Sequence, residues 1–506
     1  MSEQTLEAPR IQVPVSPPPA SERRGRSVAE LAYRLRWLLT AAALLLISLV
    51  LVLHMGTRPG YDPYGWLVWG KLTIHLKLDT NGAASWKPLP FLFTVPYAVL
   101  GHYALWLWMV TAVAISLSGF IFAWRIAFKL TAASPERRYA AYAAGAFAGI
   151  ALFGITDYSH FIFSAQSDSM IVSLCLAAID CQLEGRRRWA LWLWVLAGLG
   201  RPEAWPFLAV YSLWAWRSHP EMRRTIVVGL LLIPLLWFGI PALTANSWFV
   251  AGDNALHSPR ELHQSKIVGT AQRFIDLHAA PVWIAALLAT VWAAVRRDRF
   301  TLMLAGGALA WLVIEIAFVL HGWPGVPRYL FEPVGVVGVL AGIFVGRVIL
   351  DLPPLLARAA GRLPARLGAR AATQLGAWGA VLVVAVLVGG MVPTARERVR
   401  VERVDLKHER ARTAEFNRLS TVVRTLGAAN ILACGQPNIP IGYQSVFAWY
   451  MGIKVGLLYV SPGFIAAHPH PLVNLYPIPN GWKVFPSHVT PAVAASCSKM
   501  HLVFRS

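Results

Sequence analysis

Apolar runs of membrane-spanning length recur along most of this chain, and short basic loops separate them. A run of about 20 apolar residues is long enough to cross a bilayer as a helix. Composition agrees, because 56% of the residues are hydrophobic and only 14% are charged. Soluble domains have about 45–50% apolar and about 25% charged residues. The sequence therefore predicts an all-α polytopic membrane protein.

The net charge of +21 is distributed in a way that argues against a nucleic-acid partner. Basic residues gather in the short loops between apolar runs, as expected where cytoplasmic loops set topology and meet anionic lipid. The main groups are Arg186–Arg188, Arg223–Arg224, Arg296–Arg299, and the series Arg358, Arg362, Arg366 and Arg370. The charge predicts contact with membrane lipid and no nucleic-acid binding.

Counting apolar runs against basic loops predicts about eleven crossings, with the N-terminus in the cytoplasm and the C-terminus outside the cell membrane. Residues 1–33 are polar and rich in proline, which predicts disorder. Residues 34–395 form the predicted transmembrane domain, with a first outer loop at 55–88. Residues 396–506 form a small extracytoplasmic domain with a helical start, predicted to be α/β.

The first outer loop is rich in charged and aromatic residues. Within about thirty residues it contains Asp62, Asp79, three lysines, Arg58 and His75, interleaved with tryptophans. Such a loop at a membrane surface is a candidate site of chemistry. It is equally consistent with an interfacial loop, because Trp and Tyr collect at headgroup depth in any polytopic protein.

The predicted topology brings many ionisable residues to the outer membrane face. Ionisable groups at membrane depth are costly and by default indicate function. Those at this level are Asp62, Asp79, Lys87, Asp157, His160, Asp168, Arg201, Glu203, Arg328 and Glu332. Carboxylates and guanidinium groups from several separate loops predict one site that handles an anion beside a general base.

Several of these residues lie in four short segments, which are Tyr61-Asp62 with Trp86-Lys87-Pro88-Leu89-Pro90, Gln166-Ser167-Asp168, Arg201-Pro202-Glu203-Ala204 and Arg328-Tyr329-Leu330. These segments resemble motifs of the GT-C glycosyltransferases, which are integral-membrane enzymes that use lipid-phosphate-linked sugars. The similarity is to bacterial relatives of the dolichyl-phosphate-mannose-protein mannosyltransferases and to the aminoarabinose transferases, and it covers about 37–350. The chain departs from the family where Pro63 replaces a second acidic residue, and it lacks the Trp-Trp-Asp element of oligosaccharyltransferases.

The resemblance implies a general base at Asp62, which would take the proton of an acceptor hydroxyl. The alternative for this residue is a turn before Pro63. The resemblance also implies that Lys87, Arg201 and Arg328 hold the departing phosphate; the alternative is contact with lipid headgroups.

The remaining candidates have secondary roles. Asp168 would orient the acceptor or a metal ion, or be a helix N-cap. Asp79 is a further candidate for substrate binding. Glu203 and Glu332 would each fix a nearby arginine, with Glu332 an i, i+4 partner of Arg328.

The implied activity is inverting transfer of a sugar from a polyprenyl-phosphate donor to a glycan, lipid or protein acceptor on the outer face. The alternative is a transporter or flippase of a lipid-linked sugar. No cofactor is required by the motifs, although Asp157 and His160 are weak candidate ligands for a divalent metal ion. Cys434 and Cys497, both in the predicted outer domain, are expected to form a disulfide.

Overall fold

Helices make up most of the chain in the computed structural model, which describes residues 20–82, 86–132, 137–256, 258, 260–262, 265–360, 369–461, 470–487, 497 and 500–505. The first eleven helices are α1 Ala20–Met55, α2 Tyr61–Ile74, α3 Pro88–Ala98, α4 Ala104–Thr131, α5 Arg138–Phe153, α6 Tyr158–Phe163, α7 Ser167–Leu183, α8 Arg187–Gly200, α9 Trp205–Ser218, α10 Arg223–Pro234 and α11 Ile240–Thr244. The others are α12 Val250–Leu256, α13 Lys266–Asp276, α14 Ala280–Arg296, α15 Arg299–Leu320, α16 Phe331–Ala360, α17 Ala369–Leu426, α18 Ala428–Cys434 and α19 Gln444–Met451.

Six helical segments in the described part of the chain are long and apolar enough to cross a membrane. They are Leu35–Met55, Gly101–Thr131, Pro220–Thr244, Arg299–Leu320, Pro327–Ala359 and Arg370–Leu426. A seventh arises if α13 and α14, which meet at a bend of 100°, form one broken span. Each of the eleven predicted spans falls on a helix, but α5, α7, α8 and α9 have only 14 to 17 residues. The protein is therefore multi-pass, and the count of eleven stays a prediction.

Two segments predicted to be irregular are helical. Helix α1 begins at Ala20, inside the segment for which disorder is predicted, and residues 1–19 lie outside the described part of the chain. The first outer loop contains α2, and its tryptophans are inside the protein: Trp66 and Trp69 are no more than 1% exposed. These two tryptophans do not form an aromatic belt at the lipid headgroups, because they pack against other side chains of the protein. Trp66 meets Trp108 of α4 edge to face, with ring centroids 5.5 Å apart.

Helix α16 lies at the centre of the helical domain and packs against α4, α5, α7, α14, α15 and α17. Small residues permit the closest of these approaches. A Cβ atom on Gly342 would lie only 2.4 Å from the carbonyl oxygen of Ala144 in α5. Gly346 is as close to Thr131 at the end of α4. Glycines spaced one turn apart let two helix backbones approach closely, as in membrane helix pairs generally.

The C-terminal region is an α/β unit, as predicted. Its strands are β1 Gln436–Pro440, β2 Tyr459–Ser461, β3 Leu472–Ile478, β4 Gly481–Ser487 and β5 Leu502–Arg505, in the sheet order β2-β1-β3-β4-β5. Strand β1 is parallel to both of its neighbours, and the β3–β4 and β4–β5 pairs are antiparallel. The expected disulfide between Cys434 and Cys497 is confirmed. It fastens the end of α18 to the segment that precedes β5.

The C-terminal unit lies against α2. Helix α19 packs on α2, and the amide nitrogen of Gln444 donates to the hydroxyl of Tyr61 at 3.1 Å. Tyr64, fully buried, lies edge-on to Phe416 of α17 with ring centroids 5.9 Å apart. Helix α17 connects the two regions, since it runs unbroken for 58 residues from the helical domain to the sheet. These contacts fix the orientation of α2, and with it the position of Asp62.

Candidate active site

Three cationic side chains from separate parts of the sequence converge on Asp168. The Nζ atom of Lys87 lies 4.0 Å from a carboxylate oxygen of Asp168, and Nε of Arg328 lies 3.9 Å from the same oxygen. Arg201 donates a hydrogen bond to that oxygen through Nη2. The Asp168 side chain is completely buried. The sequence-predicted residues Lys87, Asp168, Arg201 and Arg328 therefore form one cluster.

Helix ends and prolines place each member of this cluster. Lys87 immediately precedes α3, which begins at Pro88. Arg201 follows the last residue of α8 in an extended conformation, and Pro202 then begins a short 3-10 turn. Arg328 lies in a second 3-10 turn, Pro327–Leu330, just before α16. Because proline favours extended backbone in the residue before it and is well tolerated in a first helical turn, each of these prolines starts a helical segment at the level of the cluster.

Asp168 is not an N-cap, which corrects the simpler of its two predicted roles. The N-cap of α7 is Gln166, and Asp168 lies inside the first turn. Asp62 likewise lies in the first turn of α2 and not in an isolated turn before Pro63. Carboxylates are favoured at this position because the helix N-terminus carries unpaired N–H groups and a partial positive charge.

Asp62 is the more accessible of the two carboxylates in the site. Its carboxylate lies 3.7 Å from Nη1 of Arg328 and its side chain is 15% exposed, compared with 0% for Asp168. Among the described residues, three cations lie within 4.0 Å of the Asp168 carboxylate, whereas one lies that close to Asp62. Of the two carboxylates, Asp62 is therefore the one that a substrate hydroxyl can reach.

Arg201 is held on all sides by acidic groups. Besides Asp168, its guanidinium lies 3.6 Å from Glu203 and 3.1 Å from Glu332, and it stacks over the Tyr329 ring at 4.5 Å. The predicted pair of Glu332 with Arg328 is wrong, because Glu332 instead contacts Arg201. The cause is local geometry: Arg328 is in a 3-10 turn with three residues per turn, so the i, i+4 rule of the α-helix does not hold across this junction.

Lys87 contacts a serine hydroxyl and the face of an aromatic ring. Its ammonium donates to Oγ of Ser167 at 3.2 Å and lies 5.9 Å from the centroid of Trp66. Burial lowers the pKa of Lys87, and the Asp168 carboxylate opposes this by raising it. Ser167 is a site residue that sequence reasoning missed, although it stands beside Asp168 in the motif.

A large apolar cavity opens beside the cluster. It has a volume of about 770 Å³ and lies between α7, α9, α15 and α16. Glu332 lines it at the end nearest Arg201, and Leu130 and Gln182 line it at the other. Between them the walls are almost entirely apolar and aromatic, including Phe207, Trp311, Ile314 and Val336. The cavity has the character of a site for a long hydrocarbon chain whose polar end meets the charged cluster.

Three predicted site residues do not join the cluster. Asp79 accepts hydrogen bonds from Asn81 and lies 3.3 Å from Nζ of Lys454, in the C-terminal unit. Asp157 lies in a left-handed conformation just before α6. His160 contacts Asp405 of α17, with Nδ1 2.7 Å from a carboxylate oxygen. Asp157 and His160 therefore do not make the pairwise metal site considered from the sequence.

Comparisons with known proteins find similarity only at the level of solved structures. No protein-family model and no curated protein matches the chain. The crystal structure of ArnT from Cupriavidus metallidurans in the apo state matches with 17% identity and a TM-score of 0.48, over 85% of this chain and 86% of that one. The structure of the same protein bound to undecaprenyl phosphate matches with 16% identity and a TM-score of 0.48, over 93% and 96%.

An archaeal oligosaccharyltransferase is a further match. The apo form of this Archaeoglobus fulgidus protein has 10% identity and a TM-score of 0.43, over 82% of this chain and 64% of that one. ArnT and the oligosaccharyltransferase are both GT-C glycosyltransferases, the superfamily that the sequence motifs resemble.

Proposed function

We propose that the protein is an inverting membrane glycosyltransferase that takes a sugar from a polyprenyl-phosphate donor. One observation supports this above the others: cations and a partly exposed carboxylate lie together, and Glu332, which contacts Arg201 of this cluster, lines an apolar cavity of about 770 Å³. A lipid-linked sugar phosphate has the matching parts, which are a long hydrocarbon chain, an anionic phosphate and a sugar. The lipid chain would occupy the cavity, with the phosphate at the cluster.

Arg328 and Lys87 are the residues that would bind the phosphate. Their ion pairs in the site are long, between 3.7 and 4.0 Å. Both therefore retain donors for an anion. The negative charge on the phosphate grows as the glycosidic bond breaks, so cations already in place stabilise the transition state more than the ground state.

Arg201 is better described as a positioning residue. Its charge is already met by Asp168, Glu203 and Glu332, and its side chain is only 2% exposed. It also donates to the backbone carbonyl of Arg328 at 3.2 Å. In this proposal Arg201 holds Asp168 and the Arg328 turn in place, and Asp168 in turn orients Lys87 and Arg328.

Asp62 would act as the general base. A donor phosphate competes with Asp62 for Arg328, so donor binding frees the carboxylate for the acceptor. Asp62 then removes the proton of the acceptor hydroxyl as its oxygen attacks the anomeric carbon. The carbon–oxygen bond to the phosphate breaks, and the phosphate leaves with the electron pair. Attack opposite the leaving group inverts the configuration at that carbon.

The rival activity, transport of a lipid-linked sugar, would move the same substrate without breaking its glycosidic bond. The enzyme would act on an acceptor at the outer face, whether a glycan, a lipid or a protein. Nucleotide sugars are absent from that face, so a lipid-linked sugar is the donor that such an enzyme could use. The cluster and cavity account for donor recognition under both proposals. Only the enzyme gives Asp62 a chemical task.

The test is donor turnover by purified protein in lipid nanodiscs. A panel of polyprenyl-phosphate sugars is supplied with cell-envelope glycan, lipid and protein fractions, and the release of free polyprenyl phosphate is measured by mass spectrometry. We expect release with at least one donor, falling roughly 10²–10⁴-fold in Asp62→Asn, which keeps the side-chain shape but loses the base. Asp79→Asn is the matched control, because Asp79 pairs with Lys454 outside the cluster. Equal turnover in wild type and Asp62→Asn would rule out this base.

A further inference from the structure

A second cluster of potential metal ligands lies apart from the proposed active site. His160 of α6 faces Asp405 and Glu409 of α17, and one ligand atom from each residue lies within 4.8 Å of the other two. The residues are about 245 positions apart in the sequence, so tertiary packing alone brings them together. We propose that these three side chains bind a zinc ion that fastens α17 to α6.

The geometry fits a zinc ion with small side-chain movements. Zinc takes imidazole nitrogen and carboxylate oxygen ligands at about 2.0–2.2 Å, so two ligands of a tetrahedral site lie about 3.4 Å apart. The Nδ1 atom of His160 lies 2.7 Å from a carboxylate oxygen of Asp405, so these two atoms have to separate by about 0.7 Å to admit the ion. The Glu409 oxygen lies within 4.8 Å of both, so it has to move inwards by at most about 1.4 Å, which a change of side-chain rotamer can supply. A water molecule completes a site with three protein ligands.

A small cavity at the cluster has room for the water molecule at the fourth coordination position. It has a volume of about 10 Å³, close to that of a single water-sized probe. Its walls include all three ligands, together with Thr57, Phe163, Ser164, Glu402 and Leu406. The cavity is therefore lined by the ligands themselves and by further oxygen-bearing side chains.

The charge around His160 also favours a cation. Glu402, Asp405 and Glu409 are spaced three and four residues apart on α17, so they share one face of the helix. Ser159 donates to Glu402 at 2.7 Å, and Arg412 pairs with Glu409. Arg398, one turn earlier on α17, is directed instead to Thr156. In the described part of the chain, these three carboxylates contact one histidine and one guanidinium, and a divalent ion would offset the excess negative charge.

The ligand set selects zinc over the alkaline-earth ions. Imidazole suits zinc and other late first-row metals, whereas Mg²⁺ and Ca²⁺ prefer sites made only of oxygen. The zinc ion would take no part in the proposed transfer reaction, because its site lies outside the Asp62 cluster. It would nevertheless hold α6, whose Phe161 ring lies 5.7 Å from the guanidinium of Arg328.

Zinc binding is tested on the full-length purified protein, stripped with a chelator and then titrated with zinc chloride alone. Metal content by mass spectrometry and the thermal unfolding temperature are measured for wild type, His160→Ala and Asp405→Asn. His408→Ala is the matched control, because His408 is an exposed residue on the same helix between the two carboxylate ligands. Size-exclusion profiles establish that each variant is folded.

We expect wild type and His408→Ala to hold one more tightly bound zinc per chain than His160→Ala and Asp405→Asn. Only the first two should show a rise in unfolding temperature on adding zinc, since a ligand that binds the folded state alone stabilises it. Magnesium at the same concentration should give no rise in either group. Equal zinc content and equal thermal shifts in all four proteins would overturn the proposal, whatever their transferase activity.

Discussion

Two arginines that look equivalent in sequence differ in the structure. Arg201 is 2% exposed and surrounded by three carboxylates, whereas Arg328 is 18% exposed with longer ion pairs to Asp62 and Asp168. An arginine saturated with carboxylates has little capacity left for a ligand. Removing it is nevertheless costly, because buried carboxylates would lose their partner.

This difference predicts distinct mutant phenotypes. Arg328→Ala should fold and lose both donor affinity and turnover, because the phosphate is anionic before and after the bond breaks. Arg201→Met should instead lower the unfolding temperature and the yield of folded protein. Lipid binding by native mass spectrometry and thermal unfolding separate the two, with the exposed Arg138→Ala as control. Unchanged donor affinity in Arg328→Ala would contradict the assignment.

Lys87 predicts a pH dependence of donor binding. Burial lowers the pKa of Lys87, and Asp168 only partly opposes this. As the pH rises through this lowered pKa, the Lys87 ammonium loses its proton and its attraction to an anionic lipid. The affinity for the donor should therefore begin to fall at a lower pH than it would if the lysine had an unshifted pKa. Arginine stays protonated throughout this range. Lys87→Arg should therefore move the alkaline loss of affinity to higher pH, and identical profiles for both proteins would show that Lys87 does not contact the phosphate.

At the scale of elements, the sequence predicts the helices better than it predicts the tertiary contacts between them. Every predicted span falls on a helix because hydrophobic length is a local property. The helix α2 was missed, since its charges and prolines resemble a loop, and its burial depends on α4 and the distant α19. The pairings of Asp79 with Lys454 and of His160 with Asp405 could not be predicted, because each joins residues hundreds of positions apart.

The disulfide is the element-level feature most open to experiment. Cys434 and Cys497 are 63 residues apart, and closing a loop of this length stabilises a fold by roughly 4 kcal/mol in the chain-entropy model. Replacing both cysteines by serine should make the C-terminal unit unfold at a lower temperature and become more sensitive to protease. Cys181→Ser, at a free cysteine in α7, is the control. Equal protease resistance in all three proteins would contradict this expectation.

At the scale of the whole molecule, the proposed reaction depends on orientation. The positive-inside pattern predicts that the C-terminal unit and the Asp62 cluster face the outside of the cell, and the helix packing joins them through α2, α17 and α19. A reporter enzyme active only in the cytoplasm should be silent when fused after Ser506 and active when fused before Met1. An active C-terminal fusion would place the site on the opposite face from the one proposed.

An experimental structure of the protein with a bound polyprenyl phosphate would test the proposed donor site most directly. We expect the lipid chain to lie in the cavity between α7, α9, α15 and α16. We also expect phosphate oxygens within hydrogen-bond distance of Arg328 and Lys87, about 2.7–3.2 Å, and Asp62 released from its pair with Arg328. A phosphate bound away from these two side chains, with the cavity free of lipid, would contradict the proposed mode of donor binding.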